Sequence, residues 1–361
     1  MESEQEIISF IESGQLRVGP VSFELLSQHS ARRESRPDLV LQANWQGKQV
    51  RFAAEVKRYA SDKSVMEAAN NAQYYADSMN MSPLVVVPWL SEEQLLGLEK
   101  RRVSGVDLSG NGVLVAPELS VFRSGSPNRF PASRSLKRVY AGNSSLVARV
   151  FLLKPEFKAV SEIRDEVQAR GGEITLSTVS KALKQLEEDV IISKSRHSIK
   201  LLQADKLLDR LRTSYQAPKT SEILRCQISG NTGVGELIAK AANQSSFKIM
   251  LSGTSSVDYY ATMGREPVDI YYCKKDPSQE VKSVGAIINR VSRFPNVEFH
   301  VTTEPYVYFD ARADESGRLI ASPLQTYLEL SSSDRRGQET AEQIKRDILV
   351  ELPTVQRSTL P

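Results

Sequence analysis

Cysteine and histidine are scarce: two cysteines, Cys226 and Cys273, and three histidines stand in 361 residues. That leaves out a disulfide framework and zinc-finger spacing, so any bound metal must be held mainly by oxygen. Long apolar runs are also missing, which argues against a membrane span or secretory signal and for a cytoplasmic chain. Charge of one sign is missing too. The balance of 47 Lys and Arg against 44 Asp and Glu gives +3 and a pI near 8.7, too mild to identify a nucleic-acid partner. What is present is an ordinary globular composition, 40% hydrophobic and 25% charged, long enough for two or three domains.

The distribution of charge says more than its sum. Between Arg123 and Lys158 there are eight basic residues (Arg123, Arg129, Arg134, Lys137, Arg138, Arg149, Lys154, Lys158) and one acid, Glu156. Such a segment either contacts phosphates through counterion release or is a solvated connector.

Residues 143–202, inside a domain placed at 136–215, read as a winged helix-turn-helix. Leu146, Val147, Val150, Phe151 and Leu153 recur at helical spacing until Lys154-Pro155 stops the run. A second helix carries Val160, Ile163 and Val167 and ends at Gly171-Gly172, where left-handed backbone costs little. The third places Leu176, Val179, Leu183 and Leu186 on one apolar stripe. Its other face offers Ser177, Thr178, Ser180, Lys181 and Lys184, short polar and basic side chains suited to the major groove of double-stranded DNA. Two short strands then flank a basic tip, with Lys194, Arg196, His197 and Lys200 as candidate phosphate contacts. The alternative is a winged helix used only for protein contacts.

The first domain, 1–135, begins with a helix bearing Ile7, Ile8, Phe10 and Ile11, and a second helix is predicted around Val21 to Leu26. Pro37-Asp38 and the run to Ala43, then Val50 to Lys57, read as a hairpin turned at Gln46-Gly47-Lys48. Asp38 at the start of one strand and Glu55-Val56-Lys57 on the next resemble the PD-(D/E)XK signature of the restriction-endonuclease-like superfamily. Two carboxylates from adjacent strands suit a hard cation such as Mg²⁺, and the two-residue period of a strand puts Glu55 and Lys57 on one face. Lys57 would orient or deprotonate an attacking water. Gln73, on a predicted helix from Val65 to Met79, sits where some members of that superfamily place a polar helper. A buried apolar strand within Pro83 to Leu90 and a helix from Leu95 to Arg101 follow. In the segment 103–112, glycines with Asp107 and Asn111 read as turn punctuation, since the spacing is not that of a dinucleotide fingerprint.

The last domain, 222–361, alternates helices and strands. A strand at Phe247 to Leu251, then Gly253-Thr254-Ser255, a helical stretch to Met263 and a strand at Val268 to Tyr272 are similar to a nucleotidyltransferase fold. Active transferases carry a second carboxylate two residues after the first. Tyr271 stands there after Asp269, so the domain reads as a non-catalytic relative.

The order of Glu55-Val56-Lys57, Pro88-Trp89-Leu90-Ser91, Gly105 to Asn111, Arg123-Ser124-Gly125 and then a winged helix resembles large bacterial proteins grouped with the AbiEi-type antitoxins. That resemblance implies a repressor that binds promoter DNA through its winged helix, and a nucleotidyltransferase-like toxin countered without a stable complex. Unlike the shortest antitoxins, this chain carries a nuclease-like segment ahead of the winged helix. Three readings result: a DNA-binding transcriptional regulator, as a homodimer if it reads inverted repeats; a Mg²⁺-dependent DNA endonuclease using Asp38, Glu55 and Lys57; and a protein whose C-terminal domain binds a toxin or other partner.

Overall fold

The computed structural model describes residues 3–29, 36–130, 137–263 and 267–352. It is a mixed α/β chain with eleven α-helices among the described residues, and it divides into two compact units. One gathers residues 1–136 with 188–190; the other holds 137–187 and 191–361.

The first unit runs α1 (Glu4–Glu12), β1 (Arg17–Val18), β2 (Val21–Gln28), β3 (Leu39–Trp45), β4 (Lys48–Val56), α2 (Asp62–Met79), β5 (Ser82–Val87), α3 (Glu92–Lys100), β6 (Ser104–Asp107), β7 (Gly112–Ala116) and β8 (Leu119–Arg123). Its eight strands lie side by side in chain order. Antiparallel pairing holds from β1 to β4, then β4, β5 and β6 are parallel because the crossovers α2 and α3 return the chain to the same end. Alternation decides the two faces. Phe52, Ala54, Leu84 and Val86 pack with Ile7 and Ile11 of α1, whereas Val85 and Val87 pack with Val65, Ala68 and Ala69 of α2 and with Leu95 and Leu98 of α3.

The helix predicted around Val21 to Leu26 is strand β2 instead. Val21 and Phe23 are buried with half-buried Ser22 and exposed Glu24 between and after them, a two-residue period that seats the segment against β3. The turn between β3 and β4 falls at Gln46-Gly47, both at positive φ (47° and 77°), which suits the twist of a tight hairpin.

The second unit opens with α4 (Ser145–Phe151), β9 (Glu156–Phe157), α5 (Val160–Ala169), α6 (Leu176–Glu188), β10 (Ile192–Lys194), β11 (Ile199–Leu201) and α7 (Ala204–Ser214). β11 pairs antiparallel with both β10 and β9, giving a small three-stranded sheet against three helices. Then come β12 (Glu222–Ser229), α8 (Val234–Gln244), β13 (Ile249–Leu251), β14 (Asp269–Cys273), α9 (Ser278–Ser283), β15 (Ile287–Arg290), β16 (Val297–Val301), β17 (Arg312–Ala313), β18 (Leu319–Ile320), α10 (Pro323–Ser331) and α11 (Arg335–Glu351). Seven of these strands form a mixed sheet in the order β15-β12-β16-β14-β13-β18-β17. The stretch predicted as helix up to Met263 contains only a 3-10 turn at Val257–Tyr259, because Ser252 and Ser256 are tied into a compact turn after β13.

Segments 136–215 and 222–361 share one core. Leu146, Val150, Leu183 and Leu208 belong to the same apolar cluster as Tyr306, Phe309, Leu328 and Ile344. Every residue of α4 is buried, as in a helix packed on all sides.

Gly112 tests the close fit of the first unit. A Cβ there would stand 2.7 Å from Val18 Cγ2 and 3.0 Å from the Gly105 carbonyl oxygen. Gly112→Ala is expected to lower stability by about 1–3 kcal/mol through overpacking, measured by urea unfolding against the wild type.

Candidate functional site

Asp38 immediately precedes β3, and Leu39 pairs with Ala54 of β4, so the antiparallel register carries Asp38 alongside Glu55. The Val56 N–H donates to Asp38 Oδ2 at 2.9 Å, which fixes that carboxylate at the carboxyl end of β4. Glu55 is only 4% exposed and turns to the face that packs on α2. There Lys57 Nζ donates to Glu55 Oε2 at 3.4 Å and Asn71 Nδ2 to the same oxygen at 3.5 Å. Burial pushes the Glu55 carboxyl above its ordinary range; the Asp38 charge pushes it further, and Lys57 and Asn71 offset part of the rise. The site lies at the carboxyl end of the parallel pair β4 and β5, where open α/β sheets leave room for a ligand.

Asp38, Glu55 and Lys57 are therefore brought together. Gln73 is not: its amide donates to Asp77 Oδ1 at 2.9 Å along α2. Its place is taken by Asn71 and by Tyr75, whose hydroxyl pKa is raised by burial and then by the Glu55 and Asp38 charges. These two stand one turn apart beside the buried Ala68, Ala72 and Ala76. That spacing was the available signal, since Gln73 points nearly half a turn away from Asn71. Among the described residues no third His, Cys, Asp or Glu joins the two carboxylates as a metal-binding group.

Helix α6 supplies a second candidate surface. Ser177, Ser180, Lys181 and Lys184 are exposed and recur on one face. Thr178 is half-buried, its backbone N–H capped by Thr175 Oγ1 at 3.2 Å and its hydroxyl 3.0 Å from the same oxygen. The buried stripe is Val179, Ala182, Leu183 and Leu186. Leu176, expected on it, is 42% exposed because it starts the helix outside the packed turns. Lys194, Arg196 and His197 are exposed at the turn between β10 and β11. Lys200 is instead paired with Glu156 of β9 at 3.2 Å, across the small sheet. The basic run before it thins likewise: Arg149 is buried, Lys154 is bonded to Glu162 at 2.6 Å, and Arg134 lies outside the described residues.

The turn Gly253-Thr254-Ser255 after β13 is already filled. Glu329 of α10, half-buried, sits there, and the Gly253 and Thr254 N–H groups and the Tyr272 hydroxyl bond to it. A Cβ on Gly253 would lie 2.8 Å from Glu329 Cδ, so glycine permits this approach. Tyr271, where a second carboxylate would stand, is fully buried.

No family model, curated protein or solved structure matches the chain. No helix among the described residues is long and apolar enough to cross a membrane.

The raised Glu55 carboxyl sets a stability expectation. The folded state holds this proton more tightly than the unfolded chain, so its contribution is full below the ordinary glutamate range and is lost as pH rises through the folded value. Glu55→Gln keeps an acceptor for Lys57 and Asn71 without the buried charge. It is expected to raise the melting temperature at pH 7, with the gain shrinking toward pH 4, in parallel thermal melts across that range.

Proposed function

We propose that this chain is a double-stranded DNA-binding protein that reads duplex DNA with a winged helix-turn-helix at residues 136–215, in the manner of an AbiEi-type transcriptional regulator. The observation that carries the reading is the division of α6: a buried stripe on one side, and Ser177, Ser180, Lys181 and Lys184 in line on the other. Small polar side chains allow a helix to approach base edges, and the two lysines supply charge toward phosphate. The arrangement of α4, β9, α5, α6, β10 and β11 adds support, because it leaves the exposed turn with Lys194, Arg196 and His197 free to lie along the backbone. Two copies acting on an inverted repeat would form a homodimer. The filled Gly253 turn favours the C-terminal segment as a non-catalytic relative of nucleotidyltransferases, suited to a structural role or to a protein partner such as a toxin.

In the double variant Lys181→Ala with Lys184→Ala, the slope of log affinity against log salt is expected to fall by about 2, since each phosphate contact releases about 0.9 counterion. Fluorescence anisotropy with random-sequence duplex at several salt concentrations measures it; an unchanged slope removes α6 from the interface.

A second reading rests on the meeting of Asp38, Glu55 and Lys57: a restriction-endonuclease-like first unit acting as a Mg²⁺-dependent DNA endonuclease. The donor set fits a hard cation, being two neighbouring carboxylates of which Glu55 is raised first by burial and then by the Asp38 charge. Asp38 and Glu55 would hold Mg²⁺, which supplies electrostatic stabilisation for charge growing on phosphate. Lys57 is placed to orient or deprotonate a water, and Asn71 holds Glu55 in its rotamer. Incubation with supercoiled plasmid and Mg²⁺ or Mn²⁺ is expected to yield nicked product that Glu55→Ala abolishes while duplex binding persists. No nicking with either metal defeats the enzyme.

A further inference from the structure

The loop that leaves β4 in the first unit carries more than Lys57. Arg58 and Tyr59 follow directly, both exposed, and the Arg58 guanidinium carbon lies 4.7 Å from the centroid of the Tyr59 ring. The backbone beneath the stacked pair is held from α2 and α3. The Tyr59 carbonyl accepts from Ser64 Oγ, the Ala60 carbonyl accepts from Gln94 Nε2 at 2.9 Å, and Ser61 caps α2.

Helix α2 repeats the pairing of ring and cation. Asn71, which bonds to Glu55, has Tyr74 three residues on and Tyr75 four on, so the three share one side of the helix. Tyr75 is near enough to the site for the Glu55 and Asp38 charges to add to the rise that burial gives its hydroxyl pKa. Tyr74 meets Tyr75 edge-on, with 5.4 Å between centroids, and is 68% exposed. Four residues before Tyr74, Asn70 accepts from Arg101 Nη1 at 3.0 Å, which brings an exposed guanidinium to the same stretch of helix.

We infer that the surface around Asp38, Glu55 and Lys57 takes an unpaired strand of DNA, with one base stacked on Tyr59, another on Tyr74, and phosphates met by Arg58 and Arg101. Each ring offers a π-face and each guanidinium a cation, the two elements that sites for single strands combine. A duplex cannot use the rings, because its base faces are already covered by their neighbours in the stack. Single exposed tyrosines are ordinary surface. These two stand two residues from Lys57 and three from Asn71, the side chains that donate to Glu55. The inference rests on the nuclease reading for the identity of the polymer, and binding rather than cleavage tests it.

Fluorescence anisotropy of the full chain with short labelled oligo(dT), with Ca²⁺ in place of Mg²⁺, measures the affinity. Tyr59→Ala and Tyr74→Ala are each expected to weaken it about fivefold or more, the loss of one stacked base. Tyr59→Phe and Tyr74→Phe are expected to retain it. All four variants should melt at the wild-type temperature and bind a blunt duplex of the same length as the wild type does. Absence of oligo(dT) binding at micromolar protein overturns the inference. So does an equal loss for strand and duplex, a loss in the Phe variants as large as in the Ala variants, or tighter binding of oligo(U), which makes the strand RNA. Oligo(dT) binding that needs both rings, in a protein that nicks no plasmid, removes the nuclease reading and supports the strand-binding surface.

Discussion

The second unit depends on a charge that has been taken out of water. Arg149 is 2% exposed in the middle of α4, and its Nη1 donates to Gln325 Oε1 at 2.8 Å. Gln325 passes the contact on, its amide donating to Glu329 Oε1 at 2.8 Å and to Tyr215 Oη at 3.2 Å. A buried guanidinium and a half-buried carboxylate are thus joined through an uncharged amide. Desolvating two ions costs several kcal/mol each, so the linkage is a weak source of stability but a strong source of register. Arg149 finds its partners only if α4 lies against α10 in one rotation and one translation. Its Nε has no partner at all, and burial pulls the guanidinium pKa down, both signs that the site tolerates cost for position.

That register has consequences for the two candidate surfaces of the second unit. Because α4 is clamped to α10, the helices that follow it, α5 and α6, are built from the same core as the large sheet. Glu329, the far end of the linkage, also fills the turn after β13. The same carboxylate therefore anchors the helix bundle and blocks the place where a phosphate would approach the Gly253 and Thr254 N–H groups. A phosphate there would have to displace Glu329 and leave its neighbours Gln325 and Tyr272 unsatisfied.

Much of this was legible in local pattern. The helices at 145–151, 160–169 and 176–188 followed from apolar spacing and from Pro155 and Gly171-Gly172, signals that act within a few residues. Asp38, Glu55 and Lys57 were legible because strand pairing between near neighbours is set by a tight hairpin. The failures share a cause in long-range contact. Val21 to Leu26 can satisfy either period, and pairing with β3 decides it. Lys200 looked free until β9 brought Glu156 beside it, and Arg149 looked like a surface cation until Gln325, 176 residues away, received it. Gln73 failed differently: helix phase, not distance, turned it from Glu55 while presenting Asn71.

The two open surfaces differ in how they are supported. Glu55 sits under a desolvation penalty that Lys57 and Asn71 only partly offset, so its geometry stores free energy that a structural role does not require. The exposed face of α6 stores none: its serines and lysines are open to solvent and make no ion pair among the described residues. A strained carboxylate pair gains when a cation arrives, whereas a hydrated cationic face gains only when its counterions are released to a polyanion. Under the two proposed readings, metal dependence would belong to the carboxyl end of β4 and salt dependence to α6, so the two would be separable.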